Sequence, residues 1–166
     1  NGDPTPIVNT TYDGFFDVYV NAADKIGFRA KAVGPLFDEM GVFLFDPMGS
    51  STAALVVTGS PAPGTGGSLK TIPNVGITDA DRTVFRGRVL HGSARHGIFF
   101  YDGGSDAAVL DTDPVPNDLY GAGASYRQIE ESAEADRSGT WITYTAKVRD
   151  TAAPRIKSGV FRCVGS

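Results

Sequence analysis

The sequence predicts an all-β protein made of three repeats of about 55 residues, a period in the range that signals repeat architectures. Three observations carry that prediction. The same turn and strand markers recur three times in the same order. The apolar residues alternate at period two or form short runs, and no window shows a capped helical period. Finally, 21 glycines and 10 prolines punctuate the chain at the density that many short strands and turns require.

The first marker is a Pro-x-Pro turn, seen at Pro4-Thr5-Pro6, Pro61-Ala62-Pro63 and Pro114-Val115-Pro116. The second is an alternating strand, Phe28-Arg29-Ala30-Lys31, Phe85-Arg86-Gly87-Arg88 and Tyr144-Thr145-Ala146-Lys147. The third is a glycine-led strand, Gly41-Val42-Phe43, Gly97-Ile98-Phe99 and Gly159-Val160-Phe161. Their spacings drift together: 57 and 53 for the first proline, 57 and 59 for the aromatic residue, 56 and 62 for the glycine (4→61→114, 28→85→144, 41→97→159). Duplication explains three markers moving in concert; coincidence does not.

One domain, 1–166, is therefore expected, with units at about 1–58, 59–111 and 112–166. Each unit reads as strands A to D. Strand A is expected near 15–20, 68–72 and 124–130, and strand B near 26–33, 83–90 and 140–148. Strand B alternates apolar and charged residues, which predicts one buried and one wet face. Strand C, near 41–46, 97–101 and 159–164, is almost continuously apolar, as for a strand covered on both sides. Strand D, near 53–58 and 107–111, carries small and β-branched residues. The polar stretch from Gln128 to Arg137 has the composition of a helical turn.

The third unit reads only A-B-C, which leaves its last strand one neighbour short. An open edge is a template for strand addition. The residues expected at that assembly edge are Val160, Phe161 and Cys163, with Pro6, Ile7 and Val8 of the N-terminal arm as one source of a completing strand. A second copy or a longer chain are the other sources.

Around these markers the chain resembles a repeat family of exported bacterial proteins. The resemblance rests on Gly97-Ile98-Phe99-Phe100-Tyr101-Asp102-Gly103-Gly104 and on Thr58-Gly59-Ser60-Pro61-Ala62-Pro63-Gly64-Thr65-Gly66-Gly67. It spans all three units, although Asp113-Pro114-Val115-Pro116-Asn117 lacks the glycine tail. It implies four-stranded antiparallel blades of β-propeller type and an extracellular or cell-surface location, and it supplies no catalytic residues. Three blades fall short of the usual four to eight of a closed propeller. Such a chain is expected to form a homo-oligomer, or a polymer where the rotation fails to close. A β-trefoil is the alternative arrangement of three four-stranded units.

The net charge of −4 is spread along the chain, which excludes the clustered basic surface of a nucleic-acid binder. No apolar run approaches the ~20 residues of a membrane-spanning helix. The start at Asn1 is compatible with a processed chain or a fragment, and Cys163, the single cysteine, reads first as a buried small side chain. Arg29, Arg86, Arg88 and Lys147 occupy the polar face of strand B, where they would line a groove for an acidic polymer or a glycan, or form an ordinary solvated stripe. Asp24, Asp81 and Asp136 recur at the A–B turn; calcium is the cofactor such carboxylates would hold, and local turn chemistry is the competing reading. His91 and His96 share a loop without a third ligand. Ser, His and Asp occur without nucleophile-elbow spacing, so no catalytic residues and no enzyme are expected. The expected function is that of a self-assembling structural protein, with a lectin-like carbohydrate-binding module as the alternative.

Overall fold

The computed structural model describes residues 2–115, 120, 123–150 and 156–164. Among these the chain is all-β, with antiparallel pairing throughout and no helix. The first sheet runs β1 (Thr11–Val20), β2 (Ile26–Gly34), β3 (Phe37–Asp46) and β4 (Ser51–Val57), in spatial order 1-2-3-4. The second comprises the short β5 (Pro61–Ala62), then β6 (Gly67–Ile77), β7 (Thr83–Leu90), β8 (His96–Tyr101) and β9 (Ser105–Leu110), again in chain order. The third holds β10 (Ser125–Ala135), β11 (Trp141–Arg149) and β12 (Ile156–Val164).

The three Pro-x-Pro turns all lie against the start of a first long strand. Pro4 bridges to Thr11, Pro61 pairs with Ser68, and Pro114 bridges to Ser125. Proline lacks a donor and is tolerated at such an edge. Pro116, the last residue of the third turn, lies outside the described residues. The first long strands begin earlier or run further than expected because each contains two irregularities. In β1 these fall between Tyr12 and Gly14 and between Phe15 and Val18; β6 and β10 are displaced at corresponding places. Extra residues at bulges obscure a period-two pattern, which is why Gln128–Arg137 reads as helical turn but is mostly strand in the structure.

The glycine-led strands have a packing reason. A Cβ on Gly41 would lie 2.8 Å from the ring of Phe43, and one on Gly97 only 2.6 Å from the ring of Phe99. The ring two residues on occupies the space a Cβ would need, so the motif is a fitted pair.

The sheets stack face on face. Val42 and Val56 of the first sheet pack with Leu69, Ile72, Val75, Phe85 and Phe99 of the second. The opposite face of the second sheet (Val84, Ile98, Phe100 and Val109) packs with Tyr126, Ile129, Ala133, Tyr144 and Phe161 of the third. A third cluster, Tyr12, Phe28, Ala30, Ala32 and Phe43, lies on the first sheet's other side, reinforced by Ile7. This stacking corrects the expectation of one wet face for β7: Arg86 is buried, because both faces of that strand are covered. Tyr126 and Tyr144 satisfy each other inside the second interface, hydroxyl to hydroxyl at 2.7 Å. Burial raises both phenols above their ordinary pKa.

Candidate functional site

Two polar clefts lie one at each junction between stacked sheets. They arise because β6 and β10 each cross the face of the preceding sheet and leave a gap beside the second and third strands. The first, about 470 Å³, is lined by Arg29, Glu39, Met40, Thr58, Lys70, Thr71, Ile72, Pro73 and Arg86. The second, about 290 Å³, is lined by Ser93, Arg95, Asp111, Thr112, Ser125, Tyr126, Arg127 and Arg149. The two are matched in position: Thr58 N–H donates to Met40 C=O at 2.8 Å in one, and Asp111 N–H to His96 C=O at 3.0 Å in the other.

Of the strand-B cations, the fold brings Arg29 and Arg86 into one cleft and leaves the others apart. Arg29 is held from three sides. Its Nε lies 3.0 Å from Asp17, its Nη1 donates to Ile72 C=O at 3.0 Å, and its guanidinium sits 4.8 Å above the Phe16 ring. Arg86 is buried; its backbone N–H donates to Asn74 Oδ1 at 3.1 Å, and Asn74 Nδ2 in turn donates to Ala133 C=O of the third sheet. Arg88 is exposed and lines neither cleft. Lys147 pairs with Glu130 at 3.2 Å on the third sheet. Lys70, Arg95, Arg127 and Arg149 are cleft residues that strand-B periodicity does not reveal, because they come from first strands, loops and strand ends. Within the first cleft Thr58 Oγ1 donates to the Glu39 carboxylate. Each cleft is thus a polar, cation-rich pocket with one acidic residue, a lining suited to hydrogen-bonding a hydroxylated or anionic ligand.

Asp111 anchors the second cleft. Its carboxylate accepts the Arg95 N–H at 3.0 Å and lies 3.2 Å from Nδ1 of His96. Burial pushes its pKa up, but the hydrogen bond from the His96 ring and the N–H groups of Arg95 and His96 outweigh it, and the net shift is downward. A carboxylate with a lowered folded pKa contributes stability above its unfolded value, near 4, and loses it as pH falls through the folded value. Asp111→Asn is therefore expected to cost about 1.5–3 kcal/mol at pH 7, the range for hydrogen bonds to a charged group. In urea titrations the gap between the two proteins should narrow as pH falls below about 4 and through the lowered folded pKa of Asp111, where its carboxyl becomes neutral like the amide.

The recurrent aspartates at the strand-A to strand-B turns are separated rather than convergent. Asp24 and Asp81 both adopt left-handed backbone, with φ of 59° and 62°. Asp81 accepts Asn21 Nδ2 at 2.8 Å and Lys25 Nζ at 2.6 Å, so it ties the second turn to the first. Asp136 accepts Ser138 Oγ and the Trp141 N–H, and the Ser138 bond is the chief reason its pKa is lowered. Among the described residues no three His, Cys, Asp or Glu side chains come together to hold a metal ion. The turns instead form a ladder. Asn21 Nδ2 donates to Thr78 C=O at 3.1 Å, Ala22 N–H to Asp79 Oδ1 at 2.9 Å, and Asp79 N–H to Arg137 C=O at 2.8 Å.

At the expected assembly edge, β12 pairs with β11 over its whole length. Among the described residues no strand lies on its other edge, whereas β3 and β8 are flanked there by β4 and β9. Val160 is exposed, Phe161 is buried against the third sheet's core, and Cys163 is half-buried, with its thiol pKa raised by burial. The N-terminal arm lies elsewhere. Tyr12 N–H donates to Asp3 C=O at 2.9 Å, which places the arm beside β1, with Pro6 and Val8 exposed and Ile7 packed inward. Compared with known protein families, with curated proteins and with solved structures, the chain matches none of them.

Proposed function

We propose that this chain is a non-enzymatic, secreted structural protein that assembles with copies of itself, its three sheets acting as blades of a propeller-type repeat array. The observation that carries the reading is that, among the described residues, no strand lies on the outer edge of β12, at the position where β4 and β9 flank β3 and β8 in the other two sheets. A strand edge without a neighbour is a template for pairing with a second chain. Four-stranded blades linked through subunits would form either an oligomeric ring or a filament, according to whether the rotation closes.

The two matched, cation-rich clefts favour a second reading, a module that binds acidic carbohydrate at repeated shallow sites, where linked weak contacts gain avidity. Sedimentation velocity at micromolar concentration tests both readings in one series. Species larger than the monomer, growing with concentration, are expected for the assembling protein. A monomer at every concentration removes that reading. Co-sedimentation with an added acidic polysaccharide that is lost at high salt supports the second; its absence at low salt removes it.

A further inference from the structure

We propose that copies associate head to tail, the outer face of the first sheet of one copy lying on the outer face of the third sheet of the next. This rests on the self-assembly reading and adds to the edge of β12 a second contact, between sheet faces. Its basis is that the chain already contains this interface twice.

The registers align the sheets position by position. Val18, Val75 and Ala133 stand opposite Phe28, Phe85 and Tyr144, and Phe15 and Ile129 stand opposite Ala30 and Ala146, with Ile72 at the same place in the β6 irregularity. In the second and third sheets these positions are covered by the preceding sheet: Ile72, Val75, Ile129 and Ala133 are at most 2% exposed. In the first sheet, which has no preceding sheet among the described residues, Phe15 is 48% and Val18 55% exposed. They border an open apolar hollow of about 300 Å³ with Phe28 and Phe45. The covering faces tell the complementary story. Val42 and Ile98, each following the strand glycine, are 0% exposed under the next sheet, and their counterpart Val160 is 73% exposed.

Among the described residues, two faces that are halves of one repeated junction stand open at opposite ends of the stack, and a second copy is an occupant that presents the matching half to each. Burial of exposed Phe and Val side chains supplies the drive, and the offset between the two faces makes the contact heterologous. Charge permits this pairing without being required by it, since the second junction carries two cations, Arg127 and Arg95, at the positions concerned. In the first cleft Lys70 and Glu39 come from the two sides of the junction. The corresponding positions across the proposed contact are Asp13 and Lys157, opposite in sign with the roles exchanged.

The internal junction also provides a distance. An added Cβ on Gly27 would lie 3.1 Å from Cβ of Ile77. Their counterparts across the proposed contact are Thr143 and Val20, both exposed. A disulfide needs Cβ atoms ≈ 3.5–4.5 Å apart, a few tenths of an ångström more than this close approach, so the two faces must part slightly to admit it. In a Cys163→Ala background, a chain carrying Val20→Cys is mixed with one carrying Thr143→Cys and oxidised. The expected product is the mixed 20–143 dimer, at about tenfold or greater excess over either like-with-like dimer, and with Val160→Glu in the Thr143→Cys chain its yield should fall about tenfold. Sedimenting oligomers that give no 20–143 bond, or equal amounts of all three dimers, overturn the head-to-tail geometry and leave self-assembly standing. A monomer in sedimentation overturns both.

Discussion

Replacing Phe99 by alanine is expected to lower the stability of the folded chain by about 3–5 kcal/mol, the usual cost of removing a buried aromatic ring. Phe99 is fully buried, stacks on Phe85 with ring centroids 5.7 Å apart, and fills the space over Gly97 and beside Gly87. No backbone movement can close that void cheaply, because Gly87 and Gly97 already let the strands approach as near as they can. A urea midpoint shift with an unchanged slope is the expected signature. Phe15→Ala makes the informative contrast. Its ring is half exposed, so its removal should change the monomer's midpoint little while weakening association between copies. A small loss from Phe99→Ala would mean that the junction between the first two sheets is loosely packed.

Gly67→Ala is expected to be nearly as damaging, at about 3 kcal/mol, the upper part of the range for overpacking. A Cβ at Gly67 would lie 2.3 Å from the Leu90 carbonyl oxygen and 2.6 Å from the Gly92 nitrogen. Both obstacles are backbone, so the strand pair itself must part at the start of β6. That disturbs the Gly67 N–H to Thr65 Oγ1 bond and the pairing of Ala62 with Gly67. Gly104→Ala serves as the control, since nothing lies within 4 Å of its added Cβ. Equal thermal midpoints for the two variants would show that the turn at Thr65–Gly67 yields without cost.

Much of the fold was legible before any coordinates. Period-two alternation in β2, β7 and β11, the Gly-x-Phe motif of β3, β8 and β12, and the Pro-x-Pro turns are local features, each tied to the backbone geometry of a few residues. Strand pairing in chain order follows from short turns, which carry their own Gly, Asp and Asn signals. The bulges in β1, β6 and β10 escaped, because an inserted residue shifts the alternation that reveals a strand.

The clefts could not be read from the chain. Arg29 and Arg86 are 57 residues apart (86 − 29), and only stacking of the first two sheets sets them beside Lys70 and Glu39. Burial was equally a tertiary decision. Phe15 and Ile129 hold the same place in their strands, yet one is half exposed and the other fully covered, since what lies over a sheet face depends on the neighbouring sheet. Local pattern thus determined that these residues form antiparallel strands and where the strands turn. Which face meets which, and which side chains converge, was decided by packing between segments more than 50 residues apart, an interaction that no single window of sequence contains.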